Sequence, residues 1–251
     1  MVFALALQPV ESKSKMNPYI ITRAILSTGI LSGATVLDSI RGRLTLERGD
    51  EIVRTWSKQL LQQVDVRVRV RGLERIDTQK TYVVMSNHQS LYDIPTIFTA
   101  LPLRIRMMAK AELFKVPLWS QAMKAAGFVP VHRGQGDRAM QDLRAAREAL
   151  LRGINIWIAP EGTRSPDGQL LPFKPGGFVL SALAKVPVLP VTIDGTRNIL
   201  PARALNFVKG VEVDVTVGEP VDPTNFARKE RDRFVDTVRS QIQSGFRNGK
   251  R

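Results

Sequence analysis

The most regular pattern in this chain lies at residues 64–71, Val-Asp-Val-Arg-Val-Arg-Val-Arg, where apolar and polar positions alternate strictly. A period of two puts every valine on one face. It therefore predicts a half-buried strand, with Arg67, Arg69 and Arg71 together on the opposite face at a solvated edge. Residues 81–86, Thr-Tyr-Val-Val-Met-Ser, form a short continuous apolar run, as expected of a strand covered on both sides. Similar runs predict buried strands at 154–159 and 186–193, with an apolar stretch at 128–131 and a second alternating strand at 211–217. Between these, the spacing of apolar positions predicts helices over 50–62, 91–100, 117–126, 135–151 and 223–243. Strands separated by helices imply an α/β fold. We expect one domain with a mixed, mostly parallel sheet flanked by helices, and a ligand site beyond the strand ends.

Ahead of this unit, residues 19–37 are apolar but interrupted by Thr22, Arg23, Ser27, Thr28 and Ser32. Ile21, Ala24, Ile25, Thr28 and Leu31 recur at helical spacing, and Lys13, Lys15, Arg23, Arg41 and Arg43 surround the segment with positive charge. This combination predicts an amphipathic helix lying in a membrane interface rather than spanning it; the alternative is a helix packed on the domain. Residues 1–62 are thus read as an N-terminal helical membrane-associating segment, and 63–251 as the unit that carries the chemistry. The apolar run at residues 2–7 has no basic stretch before it, so no secretory signal is expected.

Charge sharpens the picture. The chain has 37 Lys and Arg against 23 Asp and Glu, a formal +14, which attracts nucleic acid, anionic lipid or phosphorylated substrates alike. Aromatic residues are only 6% of the chain, too sparse for a base-stacking platform, and no nucleic-acid-binding signature is present, so no nucleic-acid partner is expected. The absence of cysteine excludes disulfides, thiolate metal sites and a cysteine nucleophile. His88 and His132 are the two imidazoles.

Candidate chemistry lies just after the predicted strands. In Asn87-His88-Gln89-Ser90-Leu91-Tyr92-Asp93, positions 88 and 93 would diverge by roughly 140° on one regular helix, so a turn must separate them for the two side chains to meet. Ser90 as N-cap, with Asp93 three residues on as in a capping box, would start the helix at residue 90 and leave His88 on the preceding loop. The Asp93 carboxylate could then fix the imidazole tautomer and stabilise the imidazolium of a general base. The plainer reading has Asp93 serving the helix N-terminus and His88 as an ordinary loop residue. A second stretch, Ala159-Pro160-Glu161-Gly162-Thr163-Arg164-Ser165, joins a glycine to an arginine, a pairing suited to a phosphate. A third, residues 127–133, delivers Arg133 from another strand, while Lys110, Glu112 and Lys174 add charge in nearby loops. Metal ligation by His88, Asp93, Glu112 and Glu161 is the competing chemistry; nothing in their spacing calls for a metal, and none is expected.

Taken together, these stretches resemble the glycerolipid acyltransferases, specifically those that convert 1-acyl-glycerol-3-phosphate to phosphatidic acid. Residues 87–93 match the NHxxxxD block, 127–133 and 160–165 look like the second and third blocks, and Val-Pro-Val-Leu-Pro-Val at 186–191 resembles the fourth. The likeness covers roughly residues 82–193, with the Pro-Glu-Gly-Thr-Arg-Ser wording its most specific part. The resemblance implies that His88 deprotonates the acceptor hydroxyl and Asp93 orients it, without an acyl-enzyme. It further implies a phosphate site of Arg133, Glu161, Gly162, Thr163 and Arg164, with Lys110 as a weaker candidate. The implied substrates are lysophosphatidic acid and an acyl-CoA or acyl carrier protein donor, with no further cofactor. The implied setting is a membrane surface with anionic lipids, at the cytoplasmic face of the inner membrane, the protein being peripheral or monotopic. His132, beside the basic residue of the second block, departs from the family pattern and has no assigned role.

Overall fold

The computed structural model describes residues 18–132, 136–204 and 206–246. Two helices come first, α1 (Pro18–Ile40) and α2 (Leu46–Gln63), the second opened by Thr45, whose side chain accepts the Arg48 N–H at 3.2 Å. The sheet follows as β1 (Arg67–Arg71), β2 (Val83–Ser86), β3 (Ile105–Lys110), β4 (Val129–Val131), β5 (Asn155–Ile158), β6 (Val188–Asp194) and β7 (Glu212–Val217). Interleaved with it are α3 (Asp93–Ala100), α4 (Trp119–Ala125), α5 (Gly136–Leu151), α6 (Gly176–Ala184), the one-turn α7 (Thr196–Ile199) and α8 (Arg231–Ser244). Strand order is β1-β7-β6-β2-β5-β3-β4. From β6 to β4 all neighbours are parallel; β7 runs antiparallel to β6, and β1 is parallel to β7. The sheet is mixed and mostly parallel, as the pattern predicts.

Alternation along the strands divides the core in two. In β2, Val84 faces the cluster that holds Ile20 of α1, Val53 and Leu61 of α2 and Ile97 of α3, whereas Val83 and Met85 face the one built from α5, α6 and α8. Each face is thus covered by helices, which is why β2 and β6 are fully buried and mostly apolar, with Ser86, Thr192 and Asp194 as buried polar exceptions toward their C-terminal ends. Val68 and Val70 of β1 pack on the first cluster while Arg67, Arg69 and Arg71 are exposed on an edge strand. Because Ile20, Val53 and Leu61 belong to the same core as the sheet, α1 and α2 are packed into the domain. Helix α1 nevertheless leaves Tyr19, Leu26, Ile30 and Ile40 largely in solvent, and by length and composition it is apolar enough to cross a membrane.

Three elements escape the sequence pattern, of which the one-turn α7 is too short to show a period. Strand β3 is absent from the predicted set because Arg106 interrupts its apolar run, yet Arg106 is among the most deeply buried side chains. Its charge is met by Asp50 at 2.6 Å and by the carbonyls of Ile105 and Ala126, and Asp50 also takes Arg104 at 2.7 Å. A buried arginine is tolerable when its donors are satisfied. Helix α6, Gly-Gly-Phe-Val-Leu-Ser-Ala-Leu-Ala, is also missed. It is apolar nearly all round, so it shows no amphipathic stripe.

Candidate active site

Because β2, β3, β4, β5 and β6 are parallel, their C-terminal ends lie along one edge of the sheet, and the candidate residues follow those ends. The loop after β2 is pinned first. Asn87 donates from Nδ2 to the Ile193 carbonyl and accepts the Ile193 N–H, each at 2.8 Å, which clips it to β6. His88 then leaves the strand, and the chain turns at residues 90–92 before α3 begins at Asp93. The helix is capped at Tyr92, two residues beyond the Ser90 N-cap that the sequence predicts. The Ser90 carbonyl accepts the Asp93 N–H at 3.3 Å, and the Ser90 hydroxyl oxygen accepts the Tyr92 N–H at 3.1 Å. The Asp93 carboxylate does turn back to the Ser90 N–H, at 2.9 Å, as a capping box would have it, but the Ser90 hydroxyl meets the Tyr92 N–H in place of the Asp93 N–H.

That carboxylate is saturated. Its Oδ2 accepts the Gln89 N–H at 2.6 Å and the Ser90 N–H at 2.9 Å and lies 2.7 Å from His88 Nδ1; its Oδ1 accepts the Thr196 hydroxyl at 2.5 Å. A carboxylate only accepts, so Nδ1 carries the proton and Nε2 is left as the basic nitrogen. Asp93 is wholly buried, while the His88 side chain keeps 18% of its exposure, enough to meet a substrate. Trp157 and the imidazole meet at right angles with ring centres 6.1 Å apart, and the Trp157 indole N–H donates to Ser86 Oγ at 2.9 Å.

A cavity of about 870 Å³ opens beside His88. His88, Lys110, Gly162, Thr163 and Arg164 all line it, together with Lys174. Gly162 has φ +70°, and a Cβ there would come within 2.9 Å of Lys174 Nζ, so glycine both makes the turn and leaves room for the ammonium. Burial pushes the Arg164 guanidinium below its ordinary value; nearby Asp93 opposes the shift and Arg203 adds to it. An arginine keeps its charge regardless, so this is a partly desolvated cation suited to an anion. Lys110 is more exposed, with Glu112 3.7 Å away. Much of the rest of the wall is apolar, with Glu112, His132 and Asp142 as polar exceptions, and Ile25, Thr28 and Gly29 of α1 and Trp56 and Leu60 of α2 contribute to it.

Glu161 does not join the phosphate cradle implied by the resemblance. Its carboxylate is buried away from the cavity wall, accepting the His88 N–H at 2.8 Å and the Leu171 N–H at 2.9 Å. Burial raises its carboxyl above the usual range against the pull of those two N–H groups. Glu161 therefore straps the loop after β5 to the loop of the base, and a return bond from the Ser165 N–H to the His88 carbonyl at 2.7 Å doubles the strap. Arg133 lies outside the described residues; Val131 and His132, just before it, line the cavity. Thr196 and Trp157 are additions that the sequence reading does not contain. No local signal announces them, because each reaches the dyad only through the packing of the strands.

Comparison with known proteins meets this geometry from a separate direction. Residues 67–194 match the family model described as acyltransferase, a span that holds both members of the dyad and the Gly162–Arg164 turn. This chain belongs to the acyltransferase family. A chloroplastic 1-acyl-sn-glycerol-3-phosphate acyltransferase of Brassica napus is 35% identical over 174 residues, covering 69% of this chain and 49% of that protein. The alpha enzyme of the same description from Homo sapiens is 32% identical over 183 residues, covering 72% and 64%. The chain thus spans about half to two thirds of the length of these acyltransferase relatives. The crystal structure of PlsC, the 1-acyl-sn-glycerophosphate (LPA) acyltransferase of Thermotoga maritima, aligns with TM-score 0.70 and 30% identity, over 90% of this chain and 97% of that one.

Proposed function

We propose that this protein transfers a fatty acyl group from acyl-CoA or acyl-acyl carrier protein to the free sn-2 hydroxyl of 1-acyl-glycerol-3-phosphate, giving phosphatidic acid. The observation that carries the reading is the Asp93-held imidazole of His88 lining the same cavity as Arg164. In this reading the phosphate of lysophosphatidic acid sits against Arg164, Lys174 and Lys110, with Gly162 and Thr163 beside it. Nε2 of His88 takes the proton of the acceptor hydroxyl as its oxygen attacks the thioester carbonyl. Asp93 stabilises the imidazolium. The tetrahedral intermediate collapses by breaking its carbon–sulfur bond, and the departing thiolate recovers the proton from Nε2, so no acyl-enzyme and no metal take part. The apolar wall of the cavity would shelter acyl chain from water.

The exposed apolar face of α1 would hold the protein on a membrane with anionic lipids, at the cytoplasmic face of the inner membrane, in a peripheral or monotopic manner. Ile30→Asp should weaken sedimentation with anionic vesicles, and an unchanged bound fraction would count against this anchor. The decisive experiment crosses acyl-CoA and acyl-acyl carrier protein with lysophosphatidic acid, glycerol 3-phosphate and a lysophospholipid bearing a head group. Formation of phosphatidic acid from lysophosphatidic acid supports the proposal. Faster acylation of glycerol 3-phosphate, or of the head-group lipid, would overturn the acceptor assignment.

A further inference from the structure

We infer that Thr196 is a positioning residue for the His88 base, holding the second oxygen of Asp93 so that the first stays on the imidazole. The inference rests on the reaction proposed above. Three donors converge on Asp93 Oδ2, namely the His88 ring and two backbone N–H groups, whereas the hydroxyl of Thr196 meets Oδ1 at 2.5 Å. Both Asp93 and Thr196 are completely buried, so bulk water has no ready access to replace that hydroxyl. A carboxylate held at both oxygens cannot swing about its Cβ–Cγ bond. The lone-pair direction toward Nδ1 is then fixed before substrate arrives, and positioned groups of this kind matter for catalysis out of proportion to their number.

Thr196 stands 103 positions from Asp93, beyond all four sequence blocks, and the backbone is shaped to deliver it. Gly195, between β6 and α7, has φ +113°, and a Cβ there would run into the carbonyl oxygen of Glu212 on β7. Only glycine makes that turn without displacing the neighbouring strand. Upstream, the paired Asn87–Ile193 bonds lock the end of β6 to the loop that carries His88. The hydroxyl is therefore held to the carboxylate by two rigid strands, one carrying the base and the other its support.

The test compares Thr196→Val, Thr196→Ser and His88→Ala in the full chain, with lysophosphatidic acid and acyl-CoA. Thr196→Val should lower kcat about ten- to a hundred-fold, the worth of a hydrogen bond to a charged group, with both KM values within about two-fold of the parent. Its acidic limb of kcat/KM should move to higher pH, because a carboxylate that has lost one donor holds the imidazolium more tightly. Thr196→Ser keeps the hydroxyl and should restore both kcat and the limb. In the His88→Ala background, Thr196→Val should add no further loss, since the two act as a unit. An unshifted limb with kcat lost only in step with thermal stability, or equal losses in the serine and valine variants, would overturn the inference. A His88→Ala protein with near-parental turnover would instead overturn the reaction on which it rests.

Discussion

The protein contains two histidine–aspartate pairs beside the same cavity, and they are built differently. His88 stands after a central strand, and its partner Asp93 is completely buried with donors on both oxygens. His132 follows β4 at the sheet edge; its Nδ1 lies 3.1 Å from both oxygens of Asp142, and the same carboxylate also accepts the His132 backbone N–H at 2.7 Å. The second pair is more open, with 30% of the His132 side chain exposed against 18% for His88. In the second pair, Asp142 of α5 ties down the end of β4 through the same residue whose ring it meets. In the first, the backbone N–H of His88 is taken by Glu161 instead, which leaves Asp93 to orient the ring. The difference teaches that an imidazole touching a carboxylate is common structural material. A candidate base is marked by a carboxylate whose remaining capacity is filled by fixed donors.

Substitution separates the two pairs, the largest effect coming first. His88→Ala should lower turnover by about a hundred- to ten-thousand-fold, the usual worth of a general base. Its circular dichroism should stay close to the parent while the melting temperature falls modestly, since buried Asp93 loses one donor but keeps the Gln89 and Ser90 N–H groups and the Thr196 hydroxyl. Arg164→Ala should raise the KM for lysophosphatidic acid about ten- to a hundred-fold, corresponding to about 1.5–3 kcal/mol for a lost charge-assisted contact, and leave the KM for acyl-CoA unchanged. An equal rise in both would shift Arg164 to a general structural role.

Glu161→Gln tests the strap between the two loops. One N–H would face an amide NH₂ in place of an oxygen, costing about 1–3 kcal/mol in denaturant unfolding. Because burial raises the Glu161 carboxyl in the folded state, the native protein holds that proton to higher pH than the unfolded chain does. Its contribution is therefore fully present below the ordinary carboxylate value and declines as pH rises through the raised one. The stability margin of the parent over the variant should shrink across that window, and a margin that widened would contradict the assigned shift. His132→Ala should have the smallest effect, changing kcat by less than about three-fold while costing about 1 kcal/mol of stability at the end of β4. A His132 variant as impaired as the His88 variant would erase the distinction between the pairs.

Much of this was legible in the chain itself. Strict alternation at residues 64–71 identifies the edge strand and the exposure of its arginines, because side-chain direction in a strand depends only on local geometry. Residues 81–86 and 186–193 read as buried strands because their apolar runs are continuous rather than alternating, and the five-residue spacing of His88 and Asp93 already required a turn. Arg106 conceals β3, since a charge in an apolar run makes sense only once Asp50 of α2 is beside it. Glu161 is a comparable case. Its place in the Glu-Gly-Thr-Arg wording reads as part of a phosphate site, while its partners are the N–H groups of His88, 73 positions away, and Leu171.

The sequence alone determined the period of each element, the surplus of positive charge, the lack of a thiol and the residue types able to act as base and cradle. These are properties of single residues or of neighbours a few positions apart. Tertiary structure decided which strand lies next to which, that α1 and α2 wall the same cavity as the base, that Glu161 faces inward, and that Thr196 reaches Asp93. Each of these depends on contacts between segments far apart in the chain, whose pairing is chosen by burying two helix-covered faces of one sheet at once.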